Sequence, residues 1–304
     1  MAIVTTPHEQ HSELAKTLGL ACIYFKREDL HPYGSHKGRS IPVMIDHYRK
    51  NGSRNFAISS SGNAALAAAM HIKELNKSPT LSTVGHPLYK GDSARLDTFV
   101  GNNISLNKLD KLNALSDEFI KITKTERPLQ ALKKAVDEGA ISLRQSTDDI
   151  ALIGYRSLAK ELAEIGGVGA VFVGTSSGTT AQALAQYFIE KKLPIQVHVV
   201  QTSSCHPIAD AFGKFEALKE KSDADAIVDL VAFRKDILVP LIKKTGGLGW
   251  VATNDDIRTA QELATKYAGL KISPNSALSV VGAMQAAKAG HSIKGSVVSL
   301  ICGE

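Results

Sequence analysis

The sequence has little of several features that mark specialised classes of protein. It contains three cysteines in 304 residues, Cys22, Cys205 and Cys302, and this odd, widely spaced set predicts a reducing compartment without a disulfide framework. No apolar run approaches the roughly 18 residues that a membrane-spanning helix needs. The N-terminal residues also lack the basic and then apolar pattern of a signal peptide. We therefore expect a cytoplasmic protein without a membrane segment.

Charge and motif content argue against three further classes. The formal net charge of +6 is spread over the chain without a dense basic run, and aromatic residues make up only 6% of it, so nucleic-acid binding is not predicted. The histidines are scattered and no Cys/His group has metal-ligand spacing, so no metal site is predicted. A nicotinamide-dependent dehydrogenase is disfavoured because no GxGxxG motif follows the first strand.

Short apolar stretches alternate with helical patterns along most of the chain, which predicts parallel βαβ units. We expect an α/β fold of two doubly wound lobes with mostly parallel sheets. Ligands in such sheets bind at the carboxyl ends of strands, so the active site is expected in the cleft between the lobes. The patterns assign residues 1–41 and 144–304 to a large domain and residues 42–143 to a small one. Within the small domain they predict a strand over 102–108 and a helix over 112–124.

The segment at residues 24–39, YFKREDLHPYGSHKGR, combines a short strand, a charged exit and a Pro-Tyr-Gly turn. It predicts a helix that opens at Ser35, the residue at the N-cap position, while Pro42 indicates a kink or a later start. Lys37 would then lie just inside a helix N-terminus. It has two interpretations: a solvated lysine of the first turn, or an amine nucleophile, since the positive helix end disfavours the ammonium form.

A second polar loop, at residues 59–63, reads SSSGN and will be called the serine loop. It lies between the apolar strand NFAIS and the alanine-rich pattern AALAAAMHIKEL. Hydroxyls and unpaired backbone N–H groups at a helix N-terminus predict an anion site. Ordinary N-capping is the alternative, although capping needs one small polar residue and this loop supplies five.

A third polar loop, at residues 174–180, reads GTSSGTT and will be called the glycine loop. It follows the strand pattern GAVFVG and precedes the helix pattern AQALAQYFIEKK. Its glycines permit close backbone approach, and its hydroxyls add donors for a phosphate. Because the loop lacks the lysine of a nucleotide P-loop, it predicts a site for a smaller phosphate ester.

These three segments, in this order, resemble those of the fold-type II pyridoxal-phosphate enzymes. That superfamily, named after the tryptophan synthase β chain, includes threonine synthase, the serine/threonine dehydratases and cysteine synthase. KREDLHPYGSHKGR is similar to their KREDLNPTGSFKDR-type segment, SSSGNAALAAA to their asparagine loop, and VGTSSGTTAQAL to their phosphate loop. The resemblance extends from about residue 20 to the end of the chain. It implies pyridoxal 5′-phosphate as cofactor, a large cofactor-binding domain, a small mobile domain and a homodimer.

The resemblance also implies a role for each candidate residue. Lys37 would bind the cofactor aldehyde and then act as the base that takes the substrate's α-proton, and Asn63 would bond the ring hydroxyl. Cys302 would face the pyridine nitrogen, with a small core residue as the alternative interpretation. The substrate carboxylate would be bound by Ser60, Ser61, Gly62 and Asn63. The cofactor phosphate would be held by Gly174, Thr175, Ser176, Ser177, Gly178 and Thr179.

The implied reaction follows from the pyridine partner. A neutral partner makes the ring a weaker electron sink than a carboxylate would. Elimination or replacement at Cβ or Cγ is then favoured over transamination, which predicts a lyase acting on a small L-amino acid. The resemblance is strongest to threonine synthase, which converts O-phosphohomoserine to threonine.

Departures from the family pattern keep other activities open. Ser273 stands where many relatives carry a glutamate, and His36 stands where threonine synthases have phenylalanine. No arginine or lysine cluster could be assigned to a substrate phosphate. A serine/threonine dehydratase, a cysteine synthase-type β-replacement enzyme and a non-catalytic binding protein that kept the fold therefore remain alternatives.

Overall fold

The computed structural model describes residues 4–60, 62–77 and 93–303. Over these residues the strands are β1 (His8–Gln10), β2 (Ile23–Arg27), β3 (Asn55–Ser59), β4 (Arg95–Gly101), β5 (Ile120–Thr125), β6 (Ile141–Ser142), β7 (Val168–Gly174), β8 (Gln196–Thr202), β9 (Gly249–Ala252) and β10 (Ser296–Ile301). The helices are α1 (Ser12–Leu18), α2 (Lys37–Lys50), α3 (Asn63–Lys77), α4 (Leu106–Asn113), α5 (Pro128–Asp137), α6 (Ile150–Glu164), α7 (Thr179–Glu190), α8 (Lys235–Thr245), α9 (Asn254–Ala268) and α10 (Pro274–Lys288).

The chain divides into two compact units. The larger one joins Met1–His36 to Tyr155–Glu304, and the smaller one is Lys37–Gly154. Each unit contains its own sheet, and every strand pair is parallel except β1 with β2. The predicted α/β fold with mostly parallel sheets is therefore confirmed.

The larger unit is built on a six-stranded sheet in the order β1-β2-β10-β7-β8-β9. Its central strand β7, with the sequence VGAVFVG, is buried along its length up to Gly174, as expected for a parallel strand covered on both faces. Successive side chains of a strand point to opposite faces. Accordingly, Phe172 packs with Leu278 of α10 in one apolar cluster, whereas Val171 and Val173 belong to a second cluster on the other face.

The smaller unit is built on a four-stranded parallel sheet in the order β5-β4-β3-β6. In β4 the buried residues alternate with more exposed ones, so that Leu96, Thr98 and Val100 face inward. On the helical side, α2 and α3 are joined by a hydrogen bond between Asp46 Oδ1 and His71 Nε2, which lie 2.9 Å apart. The starts of these two helices carry two of the three polar segments singled out above.

Two local predictions for the smaller unit are wrong. The predicted strand over 102–108 is instead a turn followed by α4, which begins at Leu106, one residue after the N-cap Ser105. The predicted helix over 112–124 overlaps only the end of α4, and its second half is strand β5. Residues of β5 pair with Leu96 to Gly101 of β4, and this pairing determines their conformation despite a weak helical spacing in the sequence. The local pattern does not show it, because strand pairing depends on contacts with another part of the chain.

Two further observations concern membranes and metals. None of the helices over residues 4–60, 62–77 and 93–303 combines the length and apolar character that crossing a bilayer requires. The same residues contain no group of three or more His, Cys, Asp or Glu side chains placed to hold a metal ion.

Candidate functional site

Lys37 is the first residue of α2. The predicted N-cap role of Ser35 is wrong, because Ser35 lies two residues before the helix and forms a β-bridge with Gly303 instead. Pro42 lies inside the helix, so the start is not delayed. The Lys37 side chain is half-buried, and within the part of the chain that the structure describes its Nζ has no hydrogen-bond or ion-pair partner. An amine in this position can react with a ligand.

The other lysine of the same segment, Lys26, is engaged in a buried network. It is 1% exposed, and its Nζ donates to the backbone carbonyl of Thr6 at 2.6 Å and to Glu161 Oε2 at 2.5 Å. Thr6 is held in turn by its N–H on Glu161 and by its hydroxyl on Glu28. A buried ion pair of this kind fixes structure, so Lys26 is a structural residue and Lys37 is the candidate nucleophile.

The serine loop joins β3 to α3. Of its predicted ligands, Ser61 lies outside the described residues. Ser60 Oγ accepts the N–H of Gly62 at 3.3 Å, and the Gly62 carbonyl accepts from Leu66 N–H at 3.2 Å, which starts the helix. Asn63 is the first helical residue and is half-buried. The first N–H groups of a helix have no intrahelical partner, so this end of α3 can receive an anion.

The glycine loop joins β7 to α7. Its backbone begins with Thr175 N–H donating to the Val200 carbonyl of the neighbouring strand β8 at 3.0 Å. Gly178 N–H donates to Thr175 Oγ1 at 2.9 Å, and the hydroxyls of Ser177 and Thr179 lie 2.9 Å apart and share a hydrogen bond. These bonds close the loop into a compact turn directly before the helix.

Gly178 is the N-cap of α7 and has a φ of +83°. A Cβ at this position would lie 2.4 Å from Leu238 Cδ2, and at Gly174 it would lie 2.9 Å from the backbone oxygen of Asn275. A side chain therefore fits at neither end of the loop. The glycine loop thus runs into a helix N-terminus, which suits an anion.

Gln201 was missed at the sequence level, although it supports the glycine loop. This buried residue of β8 accepts the N–H groups of Ile208 and Ala209 at Oε1, at 2.8 and 3.0 Å. Its Nε2 lies 3.4 Å from the carbonyl oxygens of both Thr175 and Ser176. A glutamine at the carboxyl end of a buried strand next to the loop was the available signal.

Cys302 follows the last residue of β10 and is buried. Because β10 and β7 are parallel neighbours, Cys302 and the start of the glycine loop lie at the same edge of the sheet. The Cys302 carbonyl accepts from the N–H of His36, and His36 Nδ1 lies 3.1 Å from the same oxygen. The imidazole of His36 is thus used in packing the chain end.

Ser273 is the N-cap of α10 and holds the same chain end from the other side. Its Oγ donates to the Gly303 carbonyl at 2.6 Å, and Ser276 Oγ donates to that oxygen at 3.0 Å. Gly303 has a φ of +100°, and a Cβ there would lie 2.8 Å from the Cβ of Ser35. Serine in place of the family's glutamate therefore has a defined contact, which fixes the backbone next to Cys302.

The candidate residues thus fall into two groups. Lys37, Ser60, Gly62 and Asn63 belong to the smaller unit, at the starts of α2 and α3. The glycine loop and Cys302 belong to the larger unit, at the carboxyl ends of β7 and β10. Every one of these described residues stands at a strand end or a helix start, where backbone groups are available to a ligand.

Comparisons with known proteins point the same way. A family model described as pyridoxal-phosphate dependent enzyme matches residues 1–303. Threonine synthase of Methanocaldococcus jannaschii is 23% identical over 294 residues, which are 91% of this chain and 68% of that protein.

Solved structures share the fold. A pyridoxal 5′-phosphate-dependent aspartate racemase aligns with a TM-score of 0.80 and 19% identity, over 99% of this chain and 90% of that one. The processed form of threonine deaminase isoform 2 from Solanum lycopersicum aligns with a TM-score of 0.79 and 18% identity, over 99% of this chain and 84% of that one.

Proposed function

The chain belongs to the pyridoxal-phosphate dependent enzyme family, and we propose that it is a lyase acting on a small L-amino acid. The reaction would be elimination or replacement at Cβ or Cγ, as in threonine synthase. Pyridoxal 5′-phosphate is the cofactor, and when bound it supplies an electron sink for a carbanion at the substrate Cα. The observation that carries the proposal is Lys37, a half-buried amine at a helix start without a described partner, whereas Lys26 of the same sequence segment is held in a buried ion pair.

The residues of the larger unit suit the two ends of this cofactor. The glycine loop offers hydroxyls and a helix N-terminus for the phosphate, and close packing of Gly178 against Leu238 and of Gly174 against Asn275 fixes the position of its backbone. Cys302 would receive the pyridine nitrogen, since it lies at the same sheet edge and its backbone is fixed by His36. A protonated thiol carries no charge, so it would make the pyridine ring a weaker electron sink than a carboxylate partner would. A weaker sink favours elimination over transamination.

Lys37 would bind the cofactor aldehyde and, once released, hold and return the α-proton of the substrate. A lysine takes up a proton only as the neutral amine. In the serine loop, the hydroxyl of Ser60, the backbone N–H groups near Gly62 and the amide of Asn63 would bind the substrate carboxylate. Ser61 is proposed for the same role.

The first experiment tests the amine. The purified protein should show a visible absorbance band that borohydride removes, and digestion of the reduced protein should yield a pyridoxyl adduct on the peptide that contains Lys37. Lys37→Ala should lose both the band and the adduct. Lys50→Ala, at the exposed far end of the same helix, is the matched control and should keep both. An adduct on any other lysine would overturn the assignment.

The second experiment identifies the reaction. Ketoacid release from L-serine and L-threonine tests dehydratase activity, and phosphate release from O-phosphohomoserine tests threonine synthase activity. Sulfide with O-acetylserine tests β-replacement, and chiral chromatography tests racemisation. Turnover in the first three assays supports a lyase, whereas racemisation alone, or cofactor binding without turnover, would overturn it. The homodimer and the mobility of residues 42–143 stay predictions, which light scattering and hydrogen exchange can test.

A further inference from the structure

A segment without helix or strand, residues 212–234, lies beside the glycine loop in the larger unit. Part of it, residues 225–229, will be called the strap. The strap is fastened at two points. One is the hydroxyl of Ser176 in the glycine loop, and the other is the side chain of Asn275 in the first turn of α10.

At the first point the strap occupies both hydrogen-bond acceptor positions of the Ser176 hydroxyl. The Val228 N–H donates to Ser176 Oγ at 3.1 Å, and the Asp229 N–H donates to the same oxygen at 3.0 Å. A serine hydroxyl has two acceptor lone pairs and one proton. Both lone pairs are therefore used, and the hydroxyl can act only as a donor. Among the described residues no acceptor for that proton lies within hydrogen-bond distance.

The other hydroxyls of the loop are arranged differently. Thr175 Oγ1 accepts the Gly178 N–H, and the hydroxyls of Ser177 and Thr179 form one hydrogen bond with each other. Ser176, by contrast, accepts two N–H bonds from the strap. Accepting N–H bonds also polarises an O–H group and strengthens it as a donor.

At the second point the oxygen and the nitrogen of the Asn275 side-chain amide both form hydrogen bonds with the strap. Its Oδ1 accepts the Ala226 N–H at 3.1 Å, and its Nδ2 donates to Asp225 Oδ1 at 3.1 Å. Asn275 lies outside the glycine loop in sequence and occupies the second position of α10. The strap therefore connects the side chain of Asn275 to the hydroxyl of Ser176.

From this arrangement we infer that Asn275 is a positioning residue. It holds the strap so that Val228 and Asp229 set Ser176 as a dedicated hydrogen-bond donor to the cofactor phosphate. The inference rests on the proposed assignment of the glycine loop to that phosphate. It predicts that retention of the cofactor depends on a side chain outside the glycine loop.

The experiment measures two quantities on the holoenzyme. One is the rate at which the cofactor is lost after dilution, followed by the visible absorbance. The other is hydrogen exchange at the amides of Val228 and Asp229. Ser176→Ala and Asn275→Ala should each speed cofactor loss about tenfold, the effect of one hydrogen bond to a charged group. Both variants should also raise exchange at the two amides.

Three comparisons make the test specific. Asn51→Ala, at an exposed site in the smaller unit, should change neither quantity. Combining Ser176→Ala with Asn275→Ala should add little to either single variant, because both act on one hydroxyl. Asn275→Asp should behave like Asn275→Ala, since it places a carboxylate against Asp225, and adding Asp225→Asn should restore cofactor retention by exchanging donor and acceptor.

The outcomes separate this inference from the assignment beneath it. If Asn275→Ala raises amide exchange but leaves cofactor loss unchanged, the strap does not position Ser176 and the inference is wrong. The inference is also wrong if adding Asp225→Asn to the Asn275→Asp variant fails to restore cofactor retention. If Ser177→Ala and Gly178→Ala also retain the cofactor at the wild-type rate, the glycine loop is not the phosphate site and the assignment itself fails.

Discussion

The serine loop and the glycine loop have similar compositions and stand at the same kind of strand-to-helix junction, and the described contacts of the glycine loop extend to two other parts of the larger unit. In the serine loop, Ser60 Oγ accepts the N–H of Gly62, two residues along the chain. The glycine loop is tied to strand β8 through Val200 and Gln201 and to the strap through Ser176. Composition predicts an anion site at both loops, whereas the contacts that tie the glycine loop to β8 and to the strap join positions far apart in the chain.

The difference agrees with the proposed roles. A loop that retains a cofactor through many turnovers gains from being fixed in advance, since little ordering is needed at binding. A loop that receives and releases a substrate in each turnover does not need such support. Three predictions test whether the glycine loop and the strand beside it contribute to the free energy of unfolding and the serine loop does not.

The largest effect is expected for Gly178→Ala. The residue has a φ of +83°, and its new Cβ would lie 2.4 Å from Leu238 Cδ2. Left-handed backbone and overpacking together should lower the free energy of unfolding by about 2 to 4 kcal/mol. Urea unfolding followed by the fluorescence of Trp250, the single tryptophan, would measure it, because Trp250 lies in β9 of the same unit. Cofactor loss should accelerate as well.

Adding Leu238→Ala separates the two contributions. It removes the steric overlap without changing the backbone conformation, so the Gly178→Ala penalty should be smaller in the Leu238→Ala background than in the wild type. If Gly178→Ala unfolds at the wild-type urea concentration, the glycine loop is not integral to the larger unit, and the contrast between the loops fails.

A second effect is expected from pH, through His198 on the strand that supports the glycine loop. His198 is buried, stacks on Phe172 at 4.4 Å, and accepts at Nδ1 from Leu248 N–H and Trp250 Nε1. Burial, together with the charge of His291, lowers the pKa of His198 to about 3. The histidine is therefore neutral in the folded protein at every pH at which the protein is expected to work.

The sign follows from proton binding. The unfolded chain takes up a proton at His198 near pH 6.5, whereas the folded protein does not until about pH 3. Stability is thus fully present above pH 6.5 and falls by about 1.4 kcal/mol per pH unit below it, or about 2 to 3 kcal/mol by pH 4.5. His198→Gln should be less stable at pH 7 but should lose that much less between pH 7 and 4.5. Equal losses in both proteins would contradict the prediction.

The sequence patterns identified the parts of the fold that depend on local order. Buried parallel strands such as β7 and β8, and the long helices that follow them, have unambiguous apolar patterns. The predictions for residues 102–108 and 112–124 are wrong because these stretches are short and mostly polar. Their apolar residues are too few to show a clear strand or helix periodicity. There, the pairing of β5 with β4 decides the structure.

The candidate site likewise contains residues that a local sequence pattern predicts and residues that only contacts between distant positions reveal. Lys37, the serine loop and the glycine loop were predicted because small polar residues between a strand and a helix form a contiguous signal. Gln201 and Asn275 were not, because their contacts with the loop and the strap join positions far apart in the chain. Ser35 was misassigned as an N-cap for the same reason, since its partner Gly303 lies at the other end of the sequence.

The smallest effect on stability is expected for Gly62→Ala, the counterpart of Gly178→Ala in the serine loop. A Cβ at Gly62 meets nothing within 4 Å, and its φ is not in the left-handed region. Alanine is a poorer N-cap than glycine, but it also restricts the unfolded chain, and these opposing terms should leave the free energy of unfolding within about 0.5 kcal/mol of the wild type. Calorimetry would measure this.

The same variant should nevertheless impair substrate binding. The new methyl group would project from the loop proposed to receive the substrate carboxylate, so more amino acid should be needed to shift the visible spectrum of the holoenzyme. Cofactor loss after dilution should stay at the wild-type rate, because the phosphate is assigned to the other loop. A large loss of stability, or release of the cofactor, would show that the serine loop is built into the fold as firmly as the glycine loop, and the functional division between them would have to be abandoned.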